Sequence, residues 1–192
     1  MKLTDYNGPL RANLRLEDFS KEALIRLIRL YSRLYFALDG FWYLSVKERF
    51  TDKDAVACDM WTWGKQRTYE LDRLTKAMKI QGTDVTALIK AFQLDPWMWS
   101  ANYLVEVKNS NHVLLTFVEC PTLLGLEREG EGREEVICRV VEQEVFESWA
   151  HYFNPSIQVK GLKLPPRTSK DEIACRWEFK NEEETEGRGG DS

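Results

Sequence analysis

Histidine is scarce in this chain, with two residues among 192, His112 and His151. Far apart in sequence, they form no HExxH zinc-binding pattern and no Ser/His/Asp arrangement, and no glycine-rich phosphate loop is present. No run of 18 apolar residues occurs, so a membrane-spanning helix is not expected. The opening stretch, MKLTDYNGPLRANLRLEDFS, lacks the apolar centre of a secretion signal. Basic excess is also missing. The net charge is −4 and the isoelectric point about 5.4, which disfavours a polyanionic partner such as nucleic acid. Four cysteines are too few for a disulfide scaffold, and a cytosol keeps such thiols reduced. The chain reads as soluble and cytoplasmic, with no nucleic-acid and no membrane partner.

Apolar residues make up 43% of the sequence and aromatic residues 12%, seven of them tryptophan. That content supports one core, and the aromatic load suggests a pocket as well. Residues 16–40 read as a helix, with apolar side chains at helical spacing at Leu24, Leu27, Ile28, Tyr31, Leu34, Tyr35 and Leu38, and residues 41–50 are expected to continue it. Ser20 is the expected N-cap, and Gly40 is a point of possible interruption. Thr51 with Asp54 has the form of a capping box, opening a helix that should end near Ile80, before Gly82. Thr83 is expected to cap a short helix closed by Asp95-Pro96.

The texture then changes. Residues 103–107 and 112–119 are rich in strand-forming types, and Lys108-Asn109-Ser110-Asn111 supplies a turn, so a β-hairpin is expected. Pro121 should end the second strand at Cys120. A short helix or loop follows, then a helix over 133–153, then strands at 156–164 and 171–179. The expected class is α+β: a helical N-terminal half, then an antiparallel four-stranded sheet in the order hairpin, helix, hairpin, with the late helix packed on it. Residues 1–179 form one domain in this reading, helical over about 17–95 and sheet-forming over about 99–179. Residues 180–192, lacking large apolar groups, read as a disordered acidic tail.

The aromatic residues Trp42, Trp61, Trp97, Trp99 and Tyr103 are the expected lining of a small-molecule site. Asp39, inside the apolar stretch FALDGFW, joins them as a carboxylate that burial would perturb. Asp59, on a more polar stretch, reads as a surface residue, and Cys58 as a buried small hydrophobe. Cys120, Cys138 and Cys175 have two readings. They are core thiols, or soft ligands for zinc or iron brought together by the fold. Cys138, in the first turns of a helix, is also a possible catalytic nucleophile.

Four stretches carry a resemblance over roughly residues 20–179. They are Asp39-Gly40-Phe41-Trp42-Tyr43, Cys120-Pro121-Thr122, Cys138 at the start of the late helix, and Cys175-Arg176-Trp177-Glu178-Phe179. Together they resemble a functionally uncharacterised family of small prokaryotic cytosolic proteins grouped with the L-2-amino-thiazoline-4-carboxylic acid hydrolase-like proteins. More distantly the chain is similar to 4-vinyl-reductase-type ligand-binding domains. The resemblance implies a cysteine-ligated zinc beside an aromatic pocket, with Glu119, Glu142 or His151 as fourth ligand. Many family members carry further cysteines where this sequence has Gly161 and Leu164. Small-molecule binding is the first functional expectation. A cysteine-dependent hydrolase of a small cyclic amide or thiazoline-like compound is the second, and an interaction protein without a site the third; a homodimer is a possible assembly in any of them.

Overall fold

The computed structural model describes residues 2–182. Residues 183–192, most of the stretch assigned above to an acidic tail, therefore lie outside the described residues. The tail's expected start moves, because Lys180 and Asn181 are the last residues of a strand.

The fold is α+β. Two long helices come first, α1 (Lys21–Arg49) and α2 (Asp52–Met78). Ser20 caps α1 by accepting a hydrogen bond from the Ala23 amide at 3.2 Å. The helix runs through Gly40 unbroken, since one glycine costs only about 1 kcal/mol in a helix interior and 29 residues share that cost. Thr51 caps α2, its hydroxyl 3.1 Å from the Asp54 amide and 2.6 Å from the Asp54 carboxylate. With only Phe50 and Thr51 between them, the helices fold back on each other. Tyr43 near the end of α1 donates to Asp52 at the start of α2, at 2.9 Å. The left-handed residue that ends α2 is Lys79 (φ 53°), not a glycine.

Helix α3 (Val85–Phe92) is capped by Asp84 rather than Thr83. The Asp84 carboxylate lies 2.8 Å from the Ala87 amide, and a carboxylate there also opposes the positive end of the helix dipole. Asp95 opens a 3₁₀ turn, Pro96–Trp99, by accepting from the Trp97 amide at 2.6 Å. Ser32 of α1 meets the Pro96 carbonyl and the Ser100 hydroxyl, which ties the helical part to this turn.

The sheet has four antiparallel strands in the spatial order β1 (Asn102–Asn109), β2 (His112–Glu119), β4 (Cys175–Asn181), β3 (Ile157–Lys163). Each hairpin pairs internally, and β2 joins β4 with Leu115 opposite Trp177. Between the hairpins lie α4 (Pro121–Glu129), α5 (Glu134–Val136), a π-helical turn (Ile137–Val141) and α6 (Glu142–Phe153). One sheet face is buried through Phe117, Trp177 and Phe179, with alternate residues turned away. Phe146 of α6 meets Trp177 edge-on at 4.8 Å, and Phe92 of α3 stacks on Trp149 at 4.5 Å. Helices α3 and α6 thus form a layer on the sheet, with the α1–α2 hairpin beyond it. Among the described residues no helix is long and apolar enough to cross a membrane.

Candidate functional site

A cavity of about 480 Å³ lies between α1, α2, the Pro96–Trp99 turn, α4 and α6. Its apolar wall is aromatic, with Phe36, Trp63, Phe92, Trp97, Phe146 and Trp149. Its charged groups are unequal in sign. Asp39, Asp59, Asp95, Glu129 and Glu142 face Arg33 and Arg133, and Arg133 is paired with Glu129 at 2.5 Å. Four carboxylates are therefore left in a largely apolar cavity.

Burial governs their chemistry, because removing a carboxylate from water penalises its charged form. Asp59 is pushed up to about 7, first by burial and then by the neighbouring charge of Asp39. Asp95 is pushed up to about 7 by burial and Glu70, against the stabilising Trp97 amide. Glu142 is pushed up to about 7 by burial, then by Asp59, Asp95 and Asp39, with Arg67 pulling it down. Asp39 is raised by burial, and the Trp63 indole N–H offsets part of the shift on both Asp39 and Asp59. The Oδ1 atom of Asp59 is buried with no hydrogen-bond partner among the described residues. A buried oxygen left unpaired costs about 1–3 kcal/mol, which a donor in the cavity would recover.

Local structure explains how these groups converge. Asp59 sits on the inward stripe Ala55–Asp59–Trp63–Arg67–Leu71, at intervals of four on α2. Glu142 follows directly on the π turn, where one extra residue per turn shifts the helix phase. Ile137, Val141 and Glu142 all line the cavity as a result. Such π turns occur frequently at functional sites.

Of the ligand-binding residues expected from sequence, Asp39 and Trp97 line this cavity. Trp42 lines a second groove of about 380 Å³ between α1 and α2, which shares Asp39 and Trp63 with the cavity. The others stand elsewhere. Trp61 is exposed on α2 with Lys65 over its ring. Trp99 is turned outward, its indole held by the Gln93 carbonyl at 3.0 Å. Tyr103 packs against Phe117 from the edge strand β1. Sequence reasoning missed Asp59, Asp95, Trp63 and Trp149, and named Glu142 only as a metal ligand. It assigned Asp59 to the surface because the flanking residues are polar, whereas the four-residue spacing to Ala55 and Trp63 places it inward.

The cysteines divide three to one. Cys58, expected to be buried, is exposed, because it stands about 100° round α2 from Asp59, off the inward stripe. Cys120, Cys138 and Cys175 lie close enough that a charge on one would raise the others. Glu142 bears on all three, whereas Glu119 and His151 are exposed. Cys120 caps α4, its sulfur accepting from the Leu123 amide at 3.4 Å, and the Cys175 sulfur accepts from the Trp177 indole at 3.2 Å. Burial pushes Cys120 up to about 11 and the other two well above the usual thiol range. Among the described residues no group of three or more His, Cys, Asp or Glu side chains is arranged to hold a metal ion. The zinc or iron centre expected from the sequence therefore has no formed ligand set among the described residues. Cys138 does not line the cavity, and burial pushes its thiol well above the usual range, away from the thiolate that a nucleophile needs. At the positions where the resemblance places further cysteines, the Leu164 side chain fills the space beside Gly161. A Cβ on Gly161 would lie 2.6 Å from Leu164 Cδ1.

Comparison with protein families matches residues 17–181 to a family of unknown function, DUF6125. No curated protein and no solved structure matches the chain.

Proposed function

We propose that this chain, which belongs to the DUF6125 family, is a small-molecule-binding protein whose ligand pairs an aromatic or apolar body with a cationic nitrogen. One observation carries the reading: Asp39, Asp59, Asp95 and Glu142 converge, with no matching number of bases, in a cavity walled by tryptophan and phenylalanine. A cavity of this size and lining is typical of small-molecule sites. Aromatic faces attract cations as well as apolar groups, and an ammonium group donates where Asp59 Oδ1 lacks a partner. The ligand's charge favours the ionised carboxylates, so binding releases protons near neutral pH. The protein works in the cytoplasm in this reading, in keeping with four free cysteines.

The test is a comparison of phenethylamine, phenethyl alcohol and phenylacetate as probes, followed by calorimetry and tryptophan fluorescence. The amine is expected to bind the wild type more tightly than either analogue, and more tightly at pH 8 than at pH 6. Glu142→Gln is expected to reduce that preference. Equal affinity for all three probes, or a preference for the carboxylate, would overturn the reading.

A further inference from the structure

A surface helix usually carries one apolar face, turned to the core. Helix α1 carries two. Phe36, Tyr43 and Val46 face the body of the protein. On the opposite side, Tyr31, Leu34, Leu38 and Phe41 recur at intervals of three, four and three, and they are 51–70% exposed. That spacing is the a/d pattern of a helix packed against a helix. Ile28, Leu30, Trp42 and Leu44, at the flanking e and g positions, are exposed by 38–44%. From residue 24 to residue 44 no a, d, e or g position is charged.

The area matters. At roughly 200 Å² for a large side chain, these eight residues expose on the order of 800 Å², which is what one partner contributes to a standard stable interface. A monomer rarely leaves more than about 300–600 Å² in one apolar patch.

We propose that this face is a homodimer interface in which α1 of one copy packs antiparallel on α1 of a second. The register is self-complementary. With the two-fold axis at the level of Phe36, Tyr31 meets Phe41 of the other copy and Leu34 meets Leu38, so every a position faces a d position. Leu30 then flanks Leu44, and Ile28 flanks Trp42. Trp42 also borders the outer groove with Leu38, Thr62 and Gln66, so the other copy's Ile28 enters that groove. Arg26, Arg29 and Arg33 all lie in the first half of α1. Antiparallel packing keeps the two basic clusters apart and opposes the helix dipoles, whereas parallel packing brings both together. A two-fold axis makes the contact isologous and closed. Lipid adsorption, by contrast, requires no such register.

Sedimentation of the full chain at micromolar concentration should give a mass of about 45 kDa, twice the 22.5 kDa of one chain. Leu38→Glu and Phe41→Glu, at positions solvated in the single copy, should halve that mass while leaving the far-ultraviolet dichroism unchanged. Leu104→Glu, on an equally exposed residue of β1, should remain dimeric. In a Cys58→Ser background, mixing Leu34→Cys with Leu38→Cys should give a disulfide-linked pair on mild oxidation, and neither variant alone should. A wild type that is monomeric at 100 µM overturns the proposal. So does a dimer that survives both glutamate substitutions, or a Leu34→Cys variant that links to itself, as parallel packing requires. A monomer that co-sediments with phosphatidylserine vesicles through Leu38 assigns the face to lipid and likewise overturns it. The cavity and its ligand play no part in this test.

Discussion

Replacing Asp59 by asparagine should stabilise the protein at alkaline pH and change little at acid pH. The Asp59 carboxyl is raised to about 7 in the folded state, against about 3.9 in an unfolded chain. Between those values the folded state holds a proton that the unfolded state has released. Stability therefore falls as pH rises through the window, because the folded form binds more protons. The contribution is fully present below about pH 4 and lost above about pH 7. A difference of about 3 pK units is worth at most ~4 kcal/mol at 1.36 kcal/mol per unit. The cavity is open to solvent, which lowers that figure to about 2–4 kcal/mol. Asparagine carries no charge at any pH, keeps an oxygen for the Trp63 N–H, and escapes the penalty.

Guanidinium denaturation at pH 4.5 and pH 8 measures the effect. The midpoint of the Asp59→Asn variant should exceed that of the wild type at pH 8 and match it at pH 4.5. The gain is an upper bound for the single site, since Asp39 and Glu142 share the same field and will relax when one charge is removed. The reasoning fails if Asp59→Asn is destabilising by the same amount at both pH values, or if wild-type stability rises steadily from pH 5 to pH 8. Either result would mean that Asp59 is ionised at little cost, and so is solvated or paired.

Two further outcomes follow from the core and the thiols. Trp177 is 1% exposed against Phe146, so Trp177→Ala should cost on the order of 3–5 kcal/mol and lower the melting temperature by about 10 °C. A near-wild-type denaturation midpoint would contradict its burial. Under native conditions at pH 7, iodoacetamide should modify Cys58 within minutes, and Cys120, Cys138 and Cys175 only after unfolding, because burial raises their thiols. Fast modification of Cys138, read by peptide mass spectrometry, would restore the cysteine-hydrolase reading.

The fold was legible where local and global preferences agree. Ser20 and Thr51 are good caps followed by helical periodicity, and both helices begin where these residues stand. The turn at 108–111 separates two strand-like runs, and they pair as expected. Boundaries failed where two residues compete for one role. Thr83 and Asp84 both suit an N-cap, and the carboxylate, a stronger acceptor, takes it. Lys180 and Asn181 look like tail by composition, yet Lys180 pairs with His112 of β2 and Asn181 with Ile157 of β3. A ladder needs backbone groups rather than apolar side chains, and composition does not report on it.

The candidate site was less legible for a different reason. Tryptophans drew attention as a class, but whether each faces inward depends on helix phase and on which strand is an edge. Trp61 and Trp63 are two residues apart on α2, so they point in nearly opposite directions, and only Trp63 reaches the cavity. Asp59 was recoverable by counting fours from Ala55. Glu142 was recoverable in the same way, since it stands three residues before Val145 and four before Phe146, on the face of α6 that lines the cavity. A uniform 3.6-residue period would carry the phase of Ile137 and Cys138 straight into α6, whereas the π turn inserts one residue and rotates everything after it by about 100° relative to what precedes it. The extra residue brings Ile137 to the cavity wall with Glu142, a buried carboxylate within electrostatic reach of the three thiols and of Asp39, Asp59 and Asp95. Holding Glu142 there beside three aspartates carries a cost, and a cationic ligand of the kind proposed would offset it.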